Sequence, residues 1–461
     1  MLIRDQNAEL VERIRKYSVA DEVEVIVYNT RNALTRFANN VIHQNLAEEN
    51  VAVSVRTVFA GRTARATTNK IDDEGLKRVV EASERLARVQ HADPDLLPMS
   101  DAGEGSRSAR MIPGRHFART AALTPELRAE MVGRIVAVAE KHRLTAAGIV
   151  SNSETAEGIF NSRGLSTWHT QTAAEISITM LGTDSSGWQK ASSPDVDTLD
   201  AAALAETAAR KAVEAARPRE IPAGKYTVIL EPAAVLDLVG FMFYDFGGLA
   251  ILDRRSFLND RVGTQLFGRN INIWDDVAHP LQSGSPFDGE GIGRQKLHLV
   301  DNGVVRRLVY ARGTAARMQR SEVKDKVGPI EPTGHGFPLP NEVGEAPMNI
   351  VFGATNNPKT VDEMVASTER GILATRLWYI REVDPYEKIV TGMTRDGTFY
   401  VEGGTIRHGL RNFRFNESLI HLLSNVEAMG TPVRASGEES FDMVVPAMQV
   451  GDFNFTEVTK F

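Results

Sequence analysis

The sequence predicts an α+β fold: an N-terminal α/β half built from two similar α-β-β-β-β-α units at residues 1–217, followed by a mainly antiparallel β domain at 218–461. Three observations lead there. A helix–strand–helix pattern occurs twice in the first half at nearly constant spacing: Ile26 to Ile149 and Phe37 to Phe160 are each 123 residues apart, and Ala66 to Ala191 is 125 apart. Beyond 217–222 the texture changes to short apolar runs separated by glycines, the composition of tight hairpins. The length of 461 residues also exceeds one ordinary core, since domains usually hold roughly 100–200 residues.

The first unit, 1–92, opens with a helical pattern at about 8–16. Alternating apolar residues mark strands at 23–28, 34–39, 51–58 and 62–67, and a helical pattern follows at 73–89. The linker 93–119 holds Asp, Gly, Ser and Pro with little periodicity and reads as a surface crossing. In the second unit, 120–217, Leu127, Met131, Ile135 and Val138 recur at helical spacing through 125–142. Strands at 146–151, 158–161, 174–180 and 188–191 come next, then an alanine-rich helix near 200–216. Duplication explains the shared spacing; chance recurrence in an α+β chain is the competing explanation, because the copies share little sequence identity. In the β domain, strands are expected at 226–230, 297–300, 305–310, 348–352 and 377–380. Residues 398–401 and 405–407 flank E-G-G as a hairpin, and Asp396 with Gly397 reads as a turn pair. A helix at 415–430, capped by Asn416, interrupts the strands before a closing one at 444–450.

Composition excludes several classes of function. Hydrophobic residues at 42% and charged residues at 25% match a soluble globular protein. A formal net charge of −7 argues against a polyanion-binding surface, so nucleic acid is not an expected partner. No stretch approaches the length of apolar sequence that spans a membrane. The N-terminus, M-L-I-R-D-Q-N-A-E-L-V-E-R-I-R, lacks the apolar core of a signal peptide, and the expected location is cytoplasmic. Zero cysteines rule out disulfides, thiolate zinc sites, cysteine-ligated iron–sulfur clusters and a cysteine nucleophile. The glycines at Gly313, Gly334 and Gly353 lack the strand–glycine loop–helix context of a nucleotide site.

The most specific segment lies between Ser256 and Met318. It holds Phe257, Leu258 and Gly263 (F-L-x-x-x-x-G), then Ser285, Phe287, Asp288, Glu290 and Gly291 (S-x-F-D-x-E-G). Asn302 and Gly303 form a turn, and Ala311 ends a strand. This order resembles the TldD/PmbA family, and the likeness extends to the closing V-V-P-A-M-Q-V-G-D-F. In that family TldD is a zinc peptidase that binds its ion through H-E-x-x-x-H and a cysteine near the C-terminus, whereas TldE lacks the site. The resemblance places the zinc helix within 235–248, with the histidine positions among Gly240, Phe241, Tyr244 and Asp245.

None of these is histidine. Two histidines meet one ion when they share a helix face about one turn apart, yet the closest pair among the ten in this chain, His408 and His421, is 13 residues apart. The chain therefore resembles the zinc-free TldE/PmbA branch. The resemblance implies no cofactor in this chain and zinc on a TldD-like partner. It further implies assembly with that peptidase subunit as a heterodimer or larger, or with itself as a homodimer, around extended peptide substrates. A homodimeric peptide-binding scaffold without a protease partner and an independent hydrolase are the alternatives.

No catalytic residue is assigned. Candidates for the substrate groove are Phe241, Tyr244, Asp245, His335 and Arg395. Phe241 and Tyr244 suit either core packing or a groove wall. Asp245, like Asp275 and Asp276, offers carboxylate oxygen to a hard cation, or simply caps a turn. His335 in P-T-G-H-G-F-P reads as a solvent-facing loop residue or a ligand group. Arg395 in T-G-M-T-R-D-G suits a peptide carboxylate or carbonyl as well as a surface ion pair. Ser283 and Ser285 lie near His279, but the surrounding glycine and proline read as a loop that buries Phe287 and caps through Asp288.

Overall fold

The computed structural model describes residues 4–106 and 112–459. In the first unit α1 (Arg4–Tyr17) precedes a meander of β1 (Glu22–Ala38), β2 (Val41–Phe59) and β3 (Arg62–Thr68), and α2 (Asp73–Val89) returns across it. The chain then passes through two short helices, α3 (Ala102–Ser106) and α4 (Ala118–Ala121). In the second unit α5 (Pro125–Lys141) precedes β4 (Thr145–Asn161), β5 (Ser166–Leu181), β6 (Ser186–Ser193) and α6 (Ala201–Glu214). Side-chain caps start the long helices: Asp72 accepts from Gly75 N, Thr124 from Leu127 N, and Asp200 from Ala202 N and Ala203 N, each cap being worth about 1 kcal/mol.

Each unit has three strands where four were expected. β1 takes in both 23–28 and 34–39, and β4 takes in both 146–151 and 158–161. The polar stretch between the expected strands continues the ladder without turning. All six strands form one antiparallel sheet in the order β3-β2-β1-β4-β5-β6. β1 and β4 begin 123 residues apart, at Glu22 and Thr145, and pair at its centre with Arg31 opposite Glu154, which are again 123 apart. A pseudo-twofold axis therefore passes between these two residues, whose side chains lie 3.7 Å apart.

One face of the sheet is apolar and lies under the helices. Val25 and Val27 pack with Leu10 and Ile14 of α1 and Val79 of α2, and Ile176 and Ile178 pack with Ile135 of α5 and Ala208 of α6. The opposite face is largely polar and docks on the C-terminal domain. Ser186 donates to Asp396 at 2.6 Å, Ser192 to Asp442 at 2.6 Å, and Lys190 to the Gly437 carbonyl at 2.9 Å. An apolar contact of Ile159 and Leu165 with Phe287 seals one end. The segment 93–119 is more than a surface crossing: Met99, Ser100 and Arg115 are buried, Ser100 donating to the Glu290 carbonyl and Arg115 to those of Val277 and His279.

The C-terminal domain begins with β7 (Gly224–Leu230) and α7 (Pro232–Val239), which runs into a 3-10 helix, Gly240–Phe246. A mixed sheet follows, from β8 (Ile273–Asp275), β9 (Leu297–Asp301), β10 (Val304–Val305) and β11 (Ile350–Phe352), the expected strand at 305–310 shrinking to two residues. The rest is a barrel from β12 (Arg370–Asp384), β13 (Ile389–Glu402), β14 (Thr405–Gly409), β15 (Phe413–Ser418), β16 (Val426–Met429) and β19 (Met448–Val458), with β17 (Val433–Ala435) and β18 (Met443–Val445) joining the mixed sheet. The ring β12-β7-β19-β15-β13 closes by pairing β13 with β12, and closure leaves no open edge in that ring. Phe413, Phe415, Phe453 and Phe455 fill it, with ring centroids 4.9–5.5 Å apart in successive contacts. The helix expected over 415–430 is instead the strand β15, one short helix at Leu419–Ser424 capped by Ser418, and β16. Asp396 and Gly397, expected to turn, form a bulge inside β13.

Candidate functional site

The candidate site lies where the end of α7, the β12–β13 hairpin and the loop 436–442 meet. Glycine permits this approach. A Cβ on Gly240 would stand 2.0 Å from Ser440 Oγ, and one on Gly437 would stand 2.2 Å from Asp237 Oδ1. Asp237, fully buried on α7, accepts the N–H groups of Glu438 and Glu439 at 3.1 and 2.9 Å on one oxygen, while its Oδ2 has no partner. Burial pushes its carboxyl up to about 7, the two amides offsetting only part of that.

Three of the sequence candidates sit together here. Tyr244 is half exposed, Phe241 is partly buried against the core, and Asp245 is buried. Asp245 Oδ2 lies 2.6 Å from Lys388 Nζ, and Oδ1 accepts from Phe257 N at 3.2 Å. Burial raises the Asp245 carboxyl, and Lys388 opposes that rise. Lys388 also donates to Glu382 at 2.7 Å and to the Phe241 carbonyl at 3.2 Å. It thereby ties the hairpin to the helix end. On the same hairpin Tyr379 bulges out of β12 with a φ of 55°, half exposed, its N–H held by Glu439 Oε1 at 2.7 Å. A non-glycine residue held at positive φ inside a bulge is a costly way to aim a side chain outward.

These residues do not fit a zinc ion. Among Gly240, Phe241, Tyr244 and Asp245 the one carboxylate is committed to Lys388 and to Phe257 N. No group of three His, Cys, Asp or Glu side chains converges among the described residues, and the chain has no cysteine.

His335 is placed elsewhere, fully buried rather than solvent-facing. Its Nε2 lies 3.1 Å from Asp275 Oδ1, and its Nδ1 meets Thr333 Oγ1 at 3.0 Å. Burial acts to raise the Asp275 carboxyl, but the facing His335, helped by Arg294 and the Asn349 amide, outweighs it and holds the group below its usual range. Asp276, far from a free turn, pairs with Lys296 at 2.9 Å. The F-D-G-E-G motif is a buckle beside this pair. Asp288 accepts the N–H groups of Glu290, Ile292 and Gly336 at 2.8–2.9 Å, and Glu290 accepts Arg312 N at 3.0 Å. Of these two buried carboxyls Glu290 has fewer donors; burial and then the neighbouring Asp288 push it up to about 7. His279 and the nearby serines do not form a pair: His279 Nδ1 accepts from Leu281 N, and Ser283 Oγ from Arg434.

Sequence reasoning passed over Asp237, Lys388, Arg376 and Glu345. Glu345 accepts from Leu249 N, Ala311 N and Thr314 Oγ1. Lys388, Arg376 and Glu345 are ordinary charged residues in unpatterned stretches, and Asp237 sits within the apolar run 235–239. The available signal was the charge run at Glu438 and Glu439 within a glycine–serine loop.

An α/β layer of two similar units docks through its polar face on a closed β-barrel. The chain belongs to the PmbA/TldD family: models described as PmbA/TldA metallopeptidase domain 1, central domain and C-terminal domain match residues 23–87, 119–216 and 223–457. It is 19% identical over 445 residues to metalloprotease PmbA of Escherichia coli O157:H7, covering 93% of this chain and 88% of that one. A metalloprotease of Methanothermobacter thermautotrophicus is 21% identical over 319 residues, which span 64% of this chain and 65% of the relative. Among solved structures, TldE from Thermococcus kodakarensis superposes with a TM-score of 0.84 at 19% identity, covering 98% of this chain and all of that one. A structure from Thermotoga maritima, described as a putative modulator of a DNA gyrase, gives 0.83 at 20% identity with the same coverage. At these identities the structural likeness is one of fold. No helix among the described residues is long and apolar enough to cross a membrane.

Proposed function

We propose that this chain is a non-catalytic, TldE/PmbA-like subunit of a TldD/TldE-type metalloprotease, binding both an extended peptide and the zinc-bearing partner. The observation that supports this reading is the pairing of Asp245: it is the one carboxylate among Gly240, Phe241, Tyr244 and Asp245, where the resemblance puts the histidines of a zinc helix, and it lies 2.6 Å from Lys388 Nζ. Hydrolysis needs an activated water or nucleophile, and the site supplies neither. What it offers is an aromatic and charged surface beside a hairpin, suited to holding a peptide by backbone hydrogen bonds that accept many sequences.

The test is metal analysis and peptide cleavage with the purified chain, alone and mixed with a peptidase bearing H-E-x-x-x-H. The chain alone is expected to carry no stoichiometric zinc and to cleave nothing, while the mixture cleaves and co-elutes as one complex. One tightly held zinc per chain, or chelator-sensitive cleavage by the chain alone, would sink the reading. Peptide binding by a self-dimer that ignores the peptidase would move the function to a homodimeric scaffold.

A further inference from the structure

Beside the candidate site, aromatic rings and guanidinium groups alternate in a ladder that crosses the domain junction. The Arg376 guanidinium lies 4.7 Å from the ring of Trp188 on β6 and 5.9 Å from that of Trp378 on β12, and the Arg395 guanidinium lies 4.7 Å from the Trp378 ring. The inner rungs are accounted for by folding. Arg376 is buried and its Nη2 meets Asp396 Oδ2 at 2.5 Å, while Ser186 donates to the other oxygen of Asp396 at 2.6 Å.

The outermost rung is not. Arg395 has a side chain 44% exposed, and its Nε lies 3.5 Å from an Asp396 oxygen already committed to Arg376. Neither terminal nitrogen of Arg395 has a protein hydrogen-bond partner among the described residues. A guanidinium presents a planar N–H fork, the geometry that matches a carboxylate bidentately.

The backbone is distorted to put it there. Arg376 and Arg395 are direct cross-strand partners, an arrangement of like charges that destabilises a sheet. The two residues after Arg395 form the bulge, with φ of 51° at Asp396 and 123° at Gly397. Bulges of this kind re-aim side chains next to functional sites. The bulge serves the fold by turning Asp396 toward Arg376 and Ser186; a positive charge at 395 opposite Arg376 is not needed for that.

We infer that Arg395, its guanidinium 4.7 Å from the Trp378 ring centroid, is a recognition site for a carboxylate of the bound peptide. This rests on the peptide-holding reading above. The carboxylate comes either from the peptide's C-terminus or from an acidic side chain, and the same planar, bidentate chemistry takes both.

The experiment measures binding of three synthetic decapeptides of otherwise equal sequence to the full-length chain, following tryptophan fluorescence. One has a free C-terminal acid, one a C-terminal amide, and one an amide with a central Glu. The free acid or the Glu peptide is expected to bind about 10- to 100-fold more tightly than the plain amide, and which of the two does so identifies the source. In R395Q the dissociation constants should converge on that of the plain amide, and R395K should restore part of the preference, because a point charge lacks the fork. The thermal midpoint of R395Q should equal or exceed that of the wild type, since the Arg376–Arg395 repulsion is relieved. Equal affinity for all three peptides in the wild type overturns the inference and leaves peptide holding intact. Loss of stability in R395Q, with all three affinities falling alike, overturns it in favour of a structural ladder. Failure of every peptide to bind overturns both readings.

Discussion

Lys388→Ala is expected to lower the free energy of unfolding by about 3–5 kcal/mol, the cost of stripping a buried charge of its partner. The Lys388 side chain is 3% exposed and sits between Asp245 at 2.6 Å and Glu382 at 2.7 Å. Its removal leaves Asp245 with the single N–H of Phe257 and frees the Phe241 carbonyl. Backbone strain does not confuse the comparison, because Lys388 has a φ of 49° and alanine pays the same penalty there. The double variant Asp245→Asn, Lys388→Met removes both charges together and should lose clearly less than the single change, since a buried pair replaced as a unit is often near neutral. Urea unfolding of the wild type, Lys388→Ala, the singles Lys388→Met and Asp245→Asn, and the double at pH 7 checks this. A loss below ~1 kcal/mol for Lys388→Ala, or additive losses in the double, would show that the pair does not act as the tie between hairpin and helix.

The same pair shows which parts of the molecule could be read from the chain and which could not. The repeated order of elements was legible because its signal is local: helix-facing valines of β1 and the matching positions of β4 keep a period of two, 123 residues apart. The number of strands was misjudged for a local reason as well. Residues 29–33 (Asn-Thr-Arg-Asn-Ala) look like a break, yet they sit at the centre of the sheet, where the ladder continues past the gap between the two helix pairs and Arg31 meets Glu154. Residues 415–430 went wrong because three short elements each bury a few apolar side chains, and their sum mimics a helical period.

The site was only half legible, because its groups are joined across long separations. Asp245 and Lys388 are 143 residues apart, Asp275 and His335 are 60 apart, and Arg65 reaches across 274 residues to the Leu339 carbonyl. Nothing in the local pattern around His335 announces a buried partner; the two flanking glycines suggested exposure, whereas here they let backbone pack closely around the ring. The F-D-G-E-G motif was visible as a motif but not as a buckle, since the amide of Gly336 that it holds lies 48 residues further on.

Asp237 is expected to make stability fall as pH rises. Its folded pKa of about 7 lies above the ordinary value of 3.8, so the native state holds a proton that the unfolded chain gives up. The stabilisation tied to that proton is present in full below about pH 4, declines as pH rises, and is gone above about pH 7; a shift of ~3 units corresponds to roughly 4 kcal/mol. Glu290, also pushed up to about 7, titrates over the same window in the same direction, so the wild-type profile alone does not isolate Asp237. The variant Asp237→Asn does. Its amide oxygen keeps the bonds from Glu438 N and Glu439 N, and its NH2 group stands where Oδ2 already lacks a partner. Absolute stability is therefore a poor readout and the pH slope a good one. Urea unfolding at pH 5 and pH 8 should show the wild type losing more stability than the variant between the two. Parallel profiles would mean that Asp237 is ionised at both pH values and that its two backbone amides outweigh its burial. The consequence reaches the site, because the loop carrying Glu438 and Glu439 holds Arg376 and Tyr379. A proton on a fully buried carboxyl thus bears on the surface that presents Tyr379 and Arg395, and peptide affinity should weaken from pH 6 to pH 8 in the wild type more than in Asp237→Asn.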